Sequence, residues 1–217
     1  LRYIPPGLTS PDDSAALPES LMTATLAASD PDFWAHPGFP IPGLHVTDRP
    51  TLAQRLVSDL LLAGERPSLR RELRQRLLAA QLTAHYGRIK ILEWYLNSAY
   101  YGHLAYGADA AARLYFDKPA ASLSLAQAAA LAAIAESPNL NPFDAPQEAL
   151  SRQKIVIQNM LHYRMISPEE GIAASRQDLN FVPPHPDQWA YDALNLGQYP
   201  AFLEMLFQQI ETKIPRR

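Results

Sequence analysis

The chain has 217 residues, of which 47% are hydrophobic and 19% charged, with a formal net charge of −3 and no cysteine. This composition predicts a globular chain that buries a hydrophobic core, and it excludes a disordered one. The slightly acidic balance gives no electrostatic reason to expect nucleic acid as a partner, and the lack of cysteine excludes disulfides, thiolate catalysis and cysteine-bound zinc.

The first predicted helix begins near Pro18, because proline is tolerated in the first turn, and it carries Leu21 on its apolar face. Asp30-Pro31 ends this helix, since the residue before a proline avoids the helical region. Residues 37–50 contain four prolines and two glycines, which predicts an irregular loop.

A second helix is predicted from Thr51 to Ala63, ended by Gly64. Ser68 then caps a long helix that runs to about His85. Four leucines of this long helix are predicted to face the core. They are Leu69, Leu73, Leu77 and Leu78. Another helix is predicted over 89–99.

Two capping patterns mark later helices. Ser124 with Gln127 forms a capping box before "AAALAAIAE", whose small side chains allow neighbouring helices to approach closely. Ser167, followed by a proline and two glutamates, is a second helix start, and residues 147–164 are periodic between the two. The chain ends in an amphipathic stretch over 199–215, and no convincing alternating strand is found. The predicted fold class is mostly α.

Common catalytic motifs are missing. His36 and His45 lie near Asp30 and Asp32, but without a His-x-x-x-His pair or cysteine this spacing predicts no metal site. Gly-x-Ser-x-Gly, Ser-x-x-Lys and a phosphate loop do not occur.

Two segments leave alternatives open. One is a basic cluster whose guanidinium forks suit phosphate oxygens, although neighbouring glutamates favour an ordinary solvated helix face. The cluster consists of Arg66, Arg70, Arg71, Arg74, Arg76 and Arg88. The other segment is "YLNSAYYGHLAYG", over 95–107, which suits either the wall of a ligand cleft or a packed helix corner.

Three segments together resemble glycosyltransferase family 51, the peptidoglycan glycosyltransferases of class A penicillin-binding proteins. "PESLMTATLAASDPDFWAHPG" resembles the first motif, in which a helix leads into Glu-Asp-x-x-Phe-x-x-His-x-Gly. "ILEWYLNSAYYGHLAYGADAAARLYF" resembles the fourth, and "LSLAQAAALAAIAESPNLNPFDAPQEALSRQKIVIQNML" the fifth. The resemblance runs from about Pro18 to Ile172 and implies a lysozyme-like α-helical fold.

The resemblance implies polymerisation of lipid II. The donor is a glycan chain on a polyprenyl pyrophosphate, and the acceptor is the 4-hydroxyl of an incoming disaccharide. A glutamate of the first motif acts as general base, and a glutamate of the third motif assists near the pyrophosphate. Basic residues hold the phosphates, in some members with a divalent metal; the residues themselves indicate no cofactor.

Both family glutamates are replaced in this chain. The first motif places Ser29 where the family has its catalytic glutamate. The positions kept are Asp30, Phe33, His36 and Gly38. The third motif, Arg-Lys-x-x-Glu, falls on 71–75 and places Gln75 at the second glutamate.

The second motif, Gly-Gly-Ser-Thr-Ile-Thr-Gln-Gln-Leu-x-Lys-Asn, falls on "HVTDRPTLAQRLVSD" and is also altered. Thr51, Gln54 and Leu56 are kept, whereas Ser58 replaces the lysine. We therefore expect weaker pyrophosphate binding than in the family. The residues predicted to contact any bound substrate are Gln54, Arg71, Arg74, Asn97 and Tyr100.

Loss of the base has a direct chemical meaning. A serine hydroxyl does not accept a proton near neutral pH, and general-base help is worth about 10²–10⁴ in rate. The sequence thus predicts a degenerate domain, a lipid II- or glycan-binding or regulatory pseudoenzyme. The alternative is an active polymerase with Asp30 or Asp32 as a relocated base. An acidic side chain that reaches the vacated position beside the arginines would argue against a lost polymerase.

We expect residues 1–176 to form the glycosyltransferase-like domain and 177–217 to lead toward a transpeptidase domain. The resemblance implies lipid II or a glycan strand as ligand, and a transpeptidase domain or other cell-wall synthesis proteins as partners. No run reaches the roughly 18 apolar residues of a membrane span. The resemblance implies a membrane anchor upstream of Leu1 and an extracytoplasmic location, in the periplasm or on the outer face of the cytoplasmic membrane.

Overall fold

The computed structural model describes residues 18–41 and 49–182, which belong to one compact unit over 16–182. This part of the chain contains eight α-helices, two short 3₁₀ turns and no strand, which confirms the mostly α prediction. The helices are α1 (Glu19–Ser29), α2 (Leu52–Leu60), α3 (Leu69–Tyr86), α4 (Arg88–Ser98), α5 (Ala108–Phe116), α6 (Leu125–Glu136), α7 (Pro146–His162) and α8 (Pro168–Arg176). The 3₁₀ turns are Ala120–Ser122 and Pro138–Leu140.

The alanine-rich helix α6 lies at the centre of the core. Every residue from Ala126 to Ile134 is buried, and α6 packs mainly against α1 and α7. Alanine side chains let these helices approach closely, as the sequence predicted. The capping box of Ser124 and Gln127 begins α6, and a second box begins α8 at Ser167.

The helix α2 packs against α3 and α4 and begins with a capping box of its own. The Thr51 hydroxyl accepts a hydrogen bond from the Gln54 amide and donates to the Gly38 carbonyl at 2.6 Å. Gly38 has a φ of +108°, and a Cβ there would lie 2.6 Å from the Ala79 carbonyl oxygen. The first motif lies directly against α3 at this point, and only glycine fits there.

The buried face predicted for α3 is wrong for three of its four leucines. Leu69, Leu73 and Leu77 are 85%, 60% and 55% exposed, and only Leu78 is half-buried against the core. The buried residues are small, Ala79 and Thr83, because α3 touches α2 and α4 along a narrow strip. Periodicity located the helix but did not indicate which of its faces meets the core.

A helix that the sequence analysis did not single out, α5, follows the tyrosine-rich segment. It buries Tyr115, whose hydroxyl donates to the Tyr101 carbonyl at 2.7 Å. Tyr100 and Tyr106 form an isolated bridge and stack with ring centroids 4.9 Å apart on the exposed side. The segment thus packs partly into the core and leaves two of its tyrosines exposed.

In the part of the chain that the structure describes, no helix is long and apolar enough to cross a bilayer. The amphipathic stretch predicted over 199–215 lies outside the described residues. Near the end of the described residues, Phe181 stacks on Phe116 of α5, with ring centroids 5.4 Å apart.

Candidate active site

Asp30, the aspartate that this chain keeps in the first motif, makes hydrogen bonds that hold the fold together. It follows α1 and is 5% exposed. Its two oxygens lie 2.9 and 3.0 Å from His36 Nε2, and the Leu52 amide donates to Oδ2 at 2.9 Å. The Gly38 amide donates to His36 Nδ1 at 3.0 Å, which assigns the imidazole proton to Nε2. Asp30 therefore ties the first motif to the start of α2.

The other first-motif aspartate, Asp32, lies half-buried in the turn after α1 and accepts the Ala35 amide at its backbone carbonyl.

Ser29 lies at the C-terminal end of α1 and is buried against the C-terminal end of α6. Its hydroxyl donates to Glu136 Oε1 at 2.5 Å, although the two residues are 107 positions apart in sequence. Glu136 is the last residue of α6, and its side chain is 13% exposed. A carboxylate thus lies one hydrogen bond away from the side chain at position 29.

Arg55 of α2 binds this carboxylate with both arms of its guanidinium. Nη2 donates to Glu136 Oε2 at 3.0 Å, and Nη1 makes a short contact with Oε1. Burial alone would lower the pKa of Arg55, but the hydrogen bond and the charge of Glu136 outweigh it and raise the pKa. Arg49, which is exposed, lies 3.9 Å from the same carboxylate.

Tyr95 of α4 completes this group, because its hydroxyl interacts with the side chains of Ser29 and Arg55. Burial, with the nearby charge of Glu136, raises the pKa of Tyr95 despite the opposing effect of Arg55, so the phenol stays protonated. A cavity of about 140 Å³ borders Ser29 and Arg49. We call Ser29, Arg55, Tyr95 and Glu136 the Ser29 cluster.

The residues of the third motif lie on α3, across from α2. The Gln75 side-chain amide donates to the Gln54 carbonyl at 2.8 Å, and the Gln54 side chain accepts the Thr51 amide within the capping box. Arg71 donates to Ser58 Oγ at 2.8 Å, and its buried Nε has no hydrogen-bond partner. Gln54 and Gln75 therefore both support α2.

The remaining residues predicted to contact substrate are dispersed. Arg74 pairs with Glu65 on the exposed surface of α3. Asn97 is exposed near the end of α4, and Tyr100 stacks on Tyr106 in the tyrosine-rich segment. The structure thus brings Gln54, Arg71 and Gln75 together around α2 and leaves the other three apart.

The family of this chain follows from its similarity to known proteins. The transglycosylase family model matches residues 49–161. Penicillin-binding protein 1A of Aquifex aeolicus (strain VF5) is 38% identical over 167 residues, which cover 71% of this chain and 23% of that protein. Penicillin-binding protein 1A of Neisseria lactamica and penicillin-binding protein 2D of Bacillus subtilis (strain 168) are each 32% identical over 76% of this chain, covering 22% and 26% of those proteins.

This chain belongs to glycosyltransferase family 51. It spans about a quarter of the length of the curated relatives that it matches. A crystal structure of penicillin-binding protein 1A from Haemophilus influenzae aligns with 96% of this chain and 22% of that one, at 20% identity and a TM-score of 0.49. The family predicted from the sequence is confirmed.

The described residues contain no cluster of side chains that could by itself hold a metal ion. Among residues 18–41 and 49–182, no group of three or more histidine, aspartate or glutamate side chains is placed to hold an ion.

Sequence reasoning missed two members of the Ser29 cluster, Arg55 and Glu136. Arg55 lies between two kept residues of the second motif, where the motif carries glutamine, and this change of charge was the available signal. Nothing in the local sequence around Glu136 indicates that the end of α6 meets the end of α1.

Proposed function

We propose that this family 51 domain binds lipid II or a growing glycan strand in cell-wall synthesis, without acid–base chemistry at Ser29 or Gln75. One observation carries the proposal: both positions of the family glutamates hold neutral side chains that are engaged in hydrogen bonds. Ser29 donates to Glu136, and Gln75 donates to the α2 backbone. Membership of family 51 supports lipid II or a glycan strand as the ligand.

The arginines on and beside α2 support binding of the pyrophosphate. Partial burial raises the pKa of Asp59 on α2, and the positive charges of Arg55 and Arg71 oppose this rise. Guanidinium groups bind phosphate oxygens in a bidentate manner.

Two roles are compatible with this ligand. The replacement of both glutamates favours a binding or regulatory domain that positions a partner polymerase or an attached transpeptidase and does not polymerise. The second role is glycosyl transfer with a carboxylate from elsewhere in the fold. Asp30 is a poor candidate for that carboxylate because it is 5% exposed and holds the first motif to α2 through His36 and Leu52. Glu136 is more exposed and lies beside position 29, which favours the second role.

Titration with lipid II in detergent micelles tests the binding proposal. We expect saturable binding by the wild-type chain and at least about tenfold weaker binding by Arg71→Ala, since a hydrogen bond to a charged group is worth about 1.5–3 kcal/mol. Arg113→Ala is the matched control, because Arg113 is exposed on α5 and pairs with Asp109. Absence of lipid II binding by the folded wild-type chain would reject the proposal in favour of a purely structural interaction domain.

A further inference from the structure

We infer that Glu136 supplies the general base that family 51 otherwise places at position 29. This inference rests on the proposed function, because it assigns a residue to the glycosyl transfer of the same bound substrate. The Glu136 carboxylate would take the proton of the acceptor 4-hydroxyl. The hydroxyl oxygen then bonds to C1 of the donor sugar, and the bond from C1 to the pyrophosphate oxygen breaks, with its electron pair leaving on the polyprenyl pyrophosphate.

The first argument is position. Oε1 of Glu136 lies 2.5 Å from Ser29 Oγ, so its carboxylate occupies space that a longer side chain at position 29 would reach. Two carboxylates so close together would repel each other, whereas a serine at position 29 leaves room and donates a hydrogen bond. The absence of a carboxylate at position 29 and the presence of Glu136 beside it therefore fit a site with one carboxylate, which α6 supplies instead of α1.

The second argument is the support around the carboxylate. The C-terminal ends of α1 and α6 meet at this point, and helix C-termini favour a nearby cation such as Arg55. The bidentate contact with Arg55 fixes the orientation of Glu136, and the Tyr95 hydroxyl interacts with both Ser29 and Arg55. A base held by such neighbours is oriented before the substrate arrives.

The third argument is that the Ser29 cluster is accessible and that Arg55 can exchange the Glu136 carboxylate for a phosphate. Glu136 and Arg55 keep 13% and 22% of their side chains exposed, so the Ser29 cluster reaches solvent. The guanidinium of Arg55 suits pyrophosphate oxygens as well as it suits a carboxylate. A bound donor thus draws Arg55 toward its phosphates and frees lone pairs of Glu136 for the acceptor hydroxyl.

The test is a polymerisation assay on the 217-residue chain with fluorescent lipid II, read as glycan strands on a gel, with lipid II binding measured in parallel. We expect strands from the wild type. Glu136→Gln, which keeps the shape, should lower the rate about 10²–10⁴-fold while binding changes little. Glu148→Gln, an exposed glutamate in the first turn of α7, is the control and should leave the rate unchanged.

A double variant separates catalysis from folding. Ser29→Glu combined with Glu136→Gln returns the carboxylate to the family position and should restore much of the lost rate. A merely structural role of Glu136 would not be rescued in this way.

Three outcomes would overturn the inference. They are wild-type rates in Glu136→Gln, a Glu136→Gln defect that the double variant leaves unrepaired, and a wild-type chain that binds lipid II without forming strands. The last outcome leaves the binding proposal standing. A wild-type chain that does not bind lipid II instead rejects the proposed function itself, and the two failures are thus distinguishable.

Discussion

Replacement of Asp30 by alanine should destabilise the fold, because two buried donors depend on this carboxylate. Asp30→Ala leaves the Leu52 amide and the Nε2–H of His36 without an acceptor, and His36 is 2% exposed. Each unsatisfied buried donor costs about 1–3 kcal/mol, so the loss in the free energy of unfolding is about 2–6 kcal/mol. For a unit of this size, a loss of about 3 kcal/mol lowers the melting temperature by about 6–12 °C.

Thermal unfolding followed by circular dichroism measures this loss. The control is Asp178→Ala, since Asp178 is an exposed carboxylate and such substitutions change stability by no more than about 0.5 kcal/mol. If Asp30→Ala melts within about 2 °C of the wild type, the structural role is refuted. Asp30 would then return as the candidate for a relocated base.

Three further predictions concern stability. Gly38→Ala should lower the melting temperature by several degrees, because the added Cβ clashes with α3. Gly64→Ala, with open space around its Cβ, should be neutral or slightly stabilising, and equal effects of the two variants would contradict the fit described for Gly38. The hydrogen bond from Asn141 lowers the pKa of Asp144, so the ionised carboxylate stabilises the fold at neutral pH and loses this effect as the pH falls below about 4. Asp144→Asn should therefore flatten the acid dependence of the melting temperature between pH 5 and about 2, and an unchanged slope would exclude this contribution. Ser124→Ala should cost about 1 kcal/mol by removing the cap of α6, measured by urea denaturation, and an unchanged midpoint would show that the cap is dispensable.

Short-range features of this protein were determined by the sequence alone. The serine caps at Ser68, Ser124 and Ser167 begin α3, α6 and α8 as predicted. A cap is a hydrogen bond between residues three positions apart, so local sequence contains both partners. The family likewise followed from motifs in their order along the chain. The boundary predicted at residue 176 stays a prediction.

Tertiary structure decided the features that depend on how helices pack. It selected the narrow alanine and threonine strip of α3 as the buried face, against the leucines that periodicity favoured. It also brought Glu136 to Ser29, across 107 positions of sequence, because α1 and α6 pack together and end at the same point. Sequence showed that a carboxylate was missing from position 29, and only the packing of α1 against α6 showed that another carboxylate lies beside it.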